Sequence, residues 1–177
     1  MRLRTARRGK FSVVGLIEDH YNTLRHHGSG RRSPADYLMF LGLPALAGAA
    51  SWLLGGRVRN VPEILAATAI LTGLIFAVFV LVFDLAARAA SGTDAEHRHL
   101  ALQLADELRA NVSYAVLVGL FLSALLGGFA MFTDAAKPLS RLLSAVLAFG
   151  GLHLLLSVFM ILKRVRSMFI LLRGESR

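Results

Sequence analysis

The chain has 177 residues, 55% of them hydrophobic, a mean hydropathy of +0.59, no cysteine and a formal net charge of +9. A globular chain of this size has no interior large enough for so much apolar surface, so lipid is its natural solvent. The missing cysteine excludes disulfides, thiolate catalysis and Cys-based metal sites. The 20 Lys and Arg outnumber 11 Asp and Glu and flank apolar runs, which points to an anionic membrane face rather than nucleic acid.

Residues 1–32 form a basic cytoplasmic segment. Within it Val13, Val14, Ile17, Tyr21 and Leu24 recur at three- and four-residue spacing, which predicts an amphipathic helix lying on the membrane or on a partner. The twin arginines Arg7-Arg8 and Arg31-Arg32 lack a following export pattern. Ala47-Gly48-Ala49 looks like a peptidase site, but the basic region before it is too long for a signal peptide, so the run is expected to stay as a span.

Four spans are predicted, each close to or above the ~20 apolar residues that cross a ~30 Å hydrocarbon core. The first is 37–54, opened by Ser33, Pro34 and Asp36 and closed by Gly55-Gly56. The second is 61–83, opened by Asn60, Pro62 and Glu63; together they make a transmembrane hairpin over 33–90. Ser91-Gly92 breaks the chain, and Thr93 with Glu96 reads as a capping box. Leu100, Leu104, Leu108 and Val112 then lead without a break into the third span, 113–132, predicting one helix of roughly 40 residues, ~60 Å long. After the turn at 133–138 the fourth span, 139–162, completes a second hairpin over 91–177 and is expected to continue as a helix beyond Leu162. The predicted class is all-α, an integral membrane four-helix bundle with cytoplasmic amphipathic helical extensions.

Sixteen of the Lys and Arg fall in 1–32, 84–112 and the tail after Leu162, against four in the two short turns. The positive-inside rule therefore places both termini and 84–112 in the cytoplasm, in a bacterial inner membrane, since the preference for Arg over Lys fits a GC-rich genome.

Small residues recur at four-residue spacing at Ala69, Gly73 and Ala77, at Gly119, Ser123 and Gly127, and at Ala45 and Ala49. Such stripes let helices approach closely, either within the bundle or between copies of the chain in a homo-oligomer. His153 is the one titratable side chain deep in a span, ten residues before Lys163 and so near the bilayer centre, with Ser157 one turn below. It serves either as a structural hydrogen-bonding group or, with Ser157, Thr72 and Ser123, as the lining of a polar path. Asp84, Arg88, Lys163 and Arg164 are expected at one level, as a cytoplasmic edge ion pair between the second and fourth spans. His97, His99 and Glu96 have the wrong helical spacing for a metal and read, like His26-His27, as solvated. Neither a phosphate loop, a nucleophile elbow nor an HExxH pattern occurs, so no catalytic, cofactor-binding or metal residue is assigned.

At "ELRANVSYAVLVGL" (107–120) and "HLLLSVFMILKRV" (153–165) the chain resembles small four-span bacterial membrane proteins of defence islands and prophages. The resemblance covers the last three spans. It implies a membrane subunit that pairs with a cytoplasmic sensor and perturbs the membrane on infection, and it carries over no site residue. The expectation is a non-enzymatic, oligomeric inner-membrane effector or anchor with a cytoplasmic partner reached through 11–27 and 93–112, in contact with anionic headgroups and without nucleic acid. The alternatives are an ion or proton channel or small transporter, and a membrane scaffold or lipid-modifying enzyme.

Overall fold

The computed structural model describes residues 13–23, 37–90, 95–132 and 137–174. Every regular element among them is a helix. They are α1 (Val13–Asn22), α2 (Leu38–Leu53), α3 (Val61–Ala90), α4 (Ala95–Phe132) and α5 (Arg141–Gly174). The expected caps at Ser33 and Thr93, and His26-His27, lie outside the described residues.

Local chemistry sets the visible ends. At the close of α2, Gly55 takes φ +70°, and the Gly56 N–H reaches Ser51 O (2.8 Å) while the Gly55 N–H reaches Trp52 O (3.2 Å). This is the six-to-one and five-to-two pairing of a Schellman cap, which needs a residue without Cβ at the left-handed position. Asn60, at φ +56°, turns the chain into α3. α4 runs unbroken for 38 residues, ~57 Å at helical rise. No Gly-Pro break interrupts it, and its amphipathic and apolar halves share one period.

Three helices, α3, α4 and α5, are long and apolar enough to cross a membrane. The first expected span differs: α2 is an apolar helix of fewer than 18 residues, ~24 Å long, short of the hydrocarbon thickness. Its first turn, Leu38–Gly42, is a π-helix. Pro44 explains the irregularity, because it offers no N–H to the Phe40 carbonyl four residues back.

The all-helical class expected from the sequence holds among the described residues. The helices stand in a row, with α2 on α5, α5 on α4 and α4 on α3. α2 and α3 accordingly do not lie side by side, whereas α4 and α5 do. The loop between α2 and α3 explains this. Val58 accepts from Leu139 N (2.9 Å) and donates its N–H to Ser144 Oγ (2.9 Å), so the loop is pinned across the head of α5 and delivers α3 to the far side of α4. Within the apolar windows, 44% of α5 is buried against 22% of α4 and 11% of α3, which makes α5 the interior helix and α3 the edge.

Three close approaches hold the row. A Cβ on Gly48 would meet Ala145 O at 3.1 Å, one on Gly150 would meet Leu122 Cδ2 at 2.6 Å, and one on Gly119 would collide with Thr72. Each interface thus has one glycine letting a neighbouring helix in. Ile75, Val82, Leu108, Val112, Ala115, Leu122, Leu154 and Ile161 fill the α3–α4–α5 seam. α1 lies across the Asn111 end of α4.

Candidate functional site

The buried polar side chains of His20, Asn111, Tyr114 and His153 converge where α1, α2, α4 and α5 meet. His153 on α5 is buried, with its Nδ1 3.0 Å from the Phe40 carbonyl. A carbonyl only accepts, so Nδ1 carries the proton and donates. The acceptor is the carbonyl that Pro44 deprives of its helical donor, so His153 supplies the bond that the proline removes. Nε2 is then a lone-pair acceptor, and the Tyr114 hydroxyl on α4 donates to it at 2.7 Å. Phe149 stacks on the same imidazole at 5.9 Å, and Ser157 Oγ donates to the His153 carbonyl at 2.9 Å.

The other face of Tyr114 carries a second histidine. His20 of α1 stacks on it at 3.8 Å with the rings 7° apart, and is fully buried. Its Nδ1 lies 2.8 Å from Asn111 Oδ1. Asn111 Nδ2 donates to Glu107 O at 2.8 Å, which orients the amide and leaves Oδ1 as acceptor, so His20 donates from Nδ1. Its Nε2 lone pair is buried and meets no hydrogen-bond partner among the described residues. Burial pushes His20 down to about 4, the Asn111 bond opposes this, and the Arg164 charge adds to it. His20 is therefore neutral at physiological pH.

Thr23 closes the end of α1. Its hydroxyl lies 2.7 Å from His20 O and 3.0 Å from Asn111 Oδ1, and its own carbonyl accepts from Arg164 Nη2 at 2.9 Å. Arg164 also pairs with Glu107 through Nη1. Tyr37 donates to Tyr21 O at 3.1 Å, joining α2 to α1.

Several sequence expectations change here. His153 was expected alone at mid-membrane. It is instead bonded to Tyr114 on α4, one residue past the expected start of the third span at 113. Arg164 was expected beside Asp84 and instead pairs with Glu107, because the extended α4 brings a carboxylate to its level. Lys163 and Asp84 are exposed, and the Arg88 side chain lies outside the described residues. Thr72 packs over Gly119 and donates to Thr68 O at 2.7 Å, on the α3–α4 interface rather than beside His153. Ser123 Oγ is buried without a partner among the described residues. Ala69, Gly73 and Ala77 face outward, with nothing within 4 Å of a Cβ on Gly73, and Gly127 is half-buried with Leu65 Cδ2 4.0 Å from its Cβ position.

Sequence reasoning missed His20, Asn111 and Tyr114. The apolar periodicity of α1 drew attention to Val13, Val14 and Ile17, which are exposed, while Gly15 and His20 form the buried edge. A usable signal existed in Pro44, since a proline inside a helix announces a carbonyl in search of a donor.

Chemically the site joins a set of neutral donors and acceptors to the Arg164–Glu107 ion pair, and its described residues offer no nucleophile–base pair. The hydrogen bonds through Tyr114 and His153 end on a backbone carbonyl, which donates nothing, so this string passes no proton onward. Among the described residues no group of three metal-ligating side chains occurs. Fold and site together define an α-helical protein with three membrane-compatible helices and a polar joint between α1 and the long helices. Comparison of the chain with protein-family models, curated proteins and solved structures returned no match.

Proposed function

We propose that the chain is a four-span, multi-pass subunit of a bacterial cytoplasmic membrane, with both termini inside, acting without catalysis as a membrane effector or anchor. α2 serves as the fourth span, lying along α5 with Leu38, Met39, Leu43, Leu46, Leu53 and Leu54 exposed to lipid. A cytoplasmic protein engages α1 and the first turns of α4, and copies of the chain associate through the outward Ala69–Gly73–Ala77 edge of α3. The resemblance supplies the setting, defence against phage.

The observation that carries this proposal is the joint at His20. Asn111, Tyr114 and His153 together link α1 to α4, α5 and α2, so a partner that moves α1 alters hydrogen bonds at the core of the row. The test is phage plating on cells expressing the wild type, His20→Leu or Asn111→Leu, with membrane levels checked by immunoblot. Protection by the wild type that is lost in both variants at equal membrane abundance supports the proposal. Variants that protect fully overturn the coupling, and a wild type without effect on plating overturns the defence setting.

A further inference from the structure

The exposed half of α1 has two chemistries. At about 100° per residue, Val13, Ile17, Tyr21 and Val14 fall within one arc of about 100°, and Glu18 and Asn22 occupy the next. Val13, Val14 and Ile17 are exposed although the opposite edge of the helix is seated on the row. An amphipathic helix that buries its polar His20 and turns its valines outward calls for an apolar partner beyond the described helices.

Position and charge identify it. Through His20 and the adjoining Thr23, α1 is bonded to Asn111, nine residues into the apolar stretch Leu102–Phe132, and to Arg164, three residues before the end of Arg141–Ser167, toward the ends the membrane reading places in the cytoplasm. Its apolar arc continues onto α2 through the Tyr21–Tyr37 stack at 5.8 Å, beyond which Leu38, Met39 and Leu41 are exposed. Amphipathic rings of this kind favour the membrane–water boundary. Residues 1–32 carry eight Lys and Arg and only two acids, Glu18 and Asp19. We infer that α1 is an interfacial helix, its Val13–Val14–Ile17 edge set into the headgroup–acyl boundary of an anionic bilayer while its His20 edge grips the long helices.

The inference rests on the membrane reading above, and its test separates the two. The native chain has no cysteine, so single cysteines replace Val14, Ile17, Asn22 and Leu74 in the full-length protein, each labelled with an environment-sensitive fluorophore. The purified proteins are reconstituted into phosphatidylglycerol–phosphatidylcholine vesicles and quenched with lipids bearing a nitroxide high on the acyl chain, or with aqueous iodide. The expected result is lipid quenching at 14 and 17 several-fold above that at 22, since only the apolar face of an interfacial helix reaches the acyl boundary, with iodide favouring 22. Quenching at 14 and 17 should fall when phosphatidylcholine is the only lipid. Positions 14 and 17 open to iodide like 22, with 74 quenched by lipid, overturn the inference and leave the membrane reading standing. Absence of lipid quenching at 74 overturns the membrane reading itself. Equal quenching at 14 and 17 in neutral lipid overturns the requirement for anionic headgroups.

Discussion

His153 earns its place through an acceptor. The Phe40 carbonyl cannot take the α-helical bond from residue 44 because that residue is proline, and His153 Nδ1 donates to it at 3.0 Å. His153→Phe leaves that carbonyl and the Tyr114 hydroxyl without this partner, a loss of about 1–3 kcal/mol in thermal or denaturant unfolding in detergent. Tyr114→Phe removes one donor only and should cost less, near the ~0.6 kcal/mol average of interhelical hydrogen bonds in membranes. Pro44→Ala returns an N–H to Phe40 O, so the cost of His153→Phe should shrink by about 0.5–1.5 kcal/mol in that background; strict additivity would contradict the pairing.

His20 gives a pH prediction with a definite sign. Docked, its imidazole is neutral and held at about 4, against 6.5 when free. Docking of α1 is therefore complete in strength above pH 6.5, weakens as pH falls toward 4, and loses no more from this group below that, a change of about 3 kcal/mol in all. Hydrogen exchange of residues 13–22 should rise over that window, and His20→Gln should flatten the response; a pH-independent wild type would contradict the assignment. The histidine at 153 was visible in the sequence because a polar ring is conspicuous among leucines. Tyr114 and Asn111 were not, since neither breaks the pattern around it.

The elements differ in how legibly they were written. The length of α4 follows from a period with no breaker, and the C-cap of α2 follows from paired glycines. The order of helices in the row does not. A lipid-solvated helix is apolar all round, so its periodicity does not say which side meets protein. Small-residue stripes share this ambiguity: Gly119 admits Thr72, whereas Gly73 faces outward. Gly119→Ala should destabilise by about 1–3 kcal/mol through overpacking, with partial relief by Thr72→Ala. Gly73→Ala should be neutral, or stabilising by up to about 1 kcal/mol from helix propensity. Gly73→Leu reads out the proposed contact between copies: a shift toward monomer in detergent light scattering supports it, and an unchanged mass argues that lipid alone covers that edge.

For the whole molecule, composition and charge placement carried the class, and three long apolar helices agree with it. What the sequence left open was how the amphipathic and apolar parts join, because contacts such as His20–Asn111, 91 residues apart, leave no local trace. The central claim is that α3, α4 and α5 cross a membrane with α1 and the start of α4 on the cytoplasmic side. Single cysteines at Arg57, Ala95, Lys137 and Ser167, probed in intact cells with a membrane-impermeant maleimide, test it most directly. The account predicts reaction at 57 and 137 from outside, and at 95 and 167 only after permeabilisation. Reaction of 57 and 95 from the same side would contradict it.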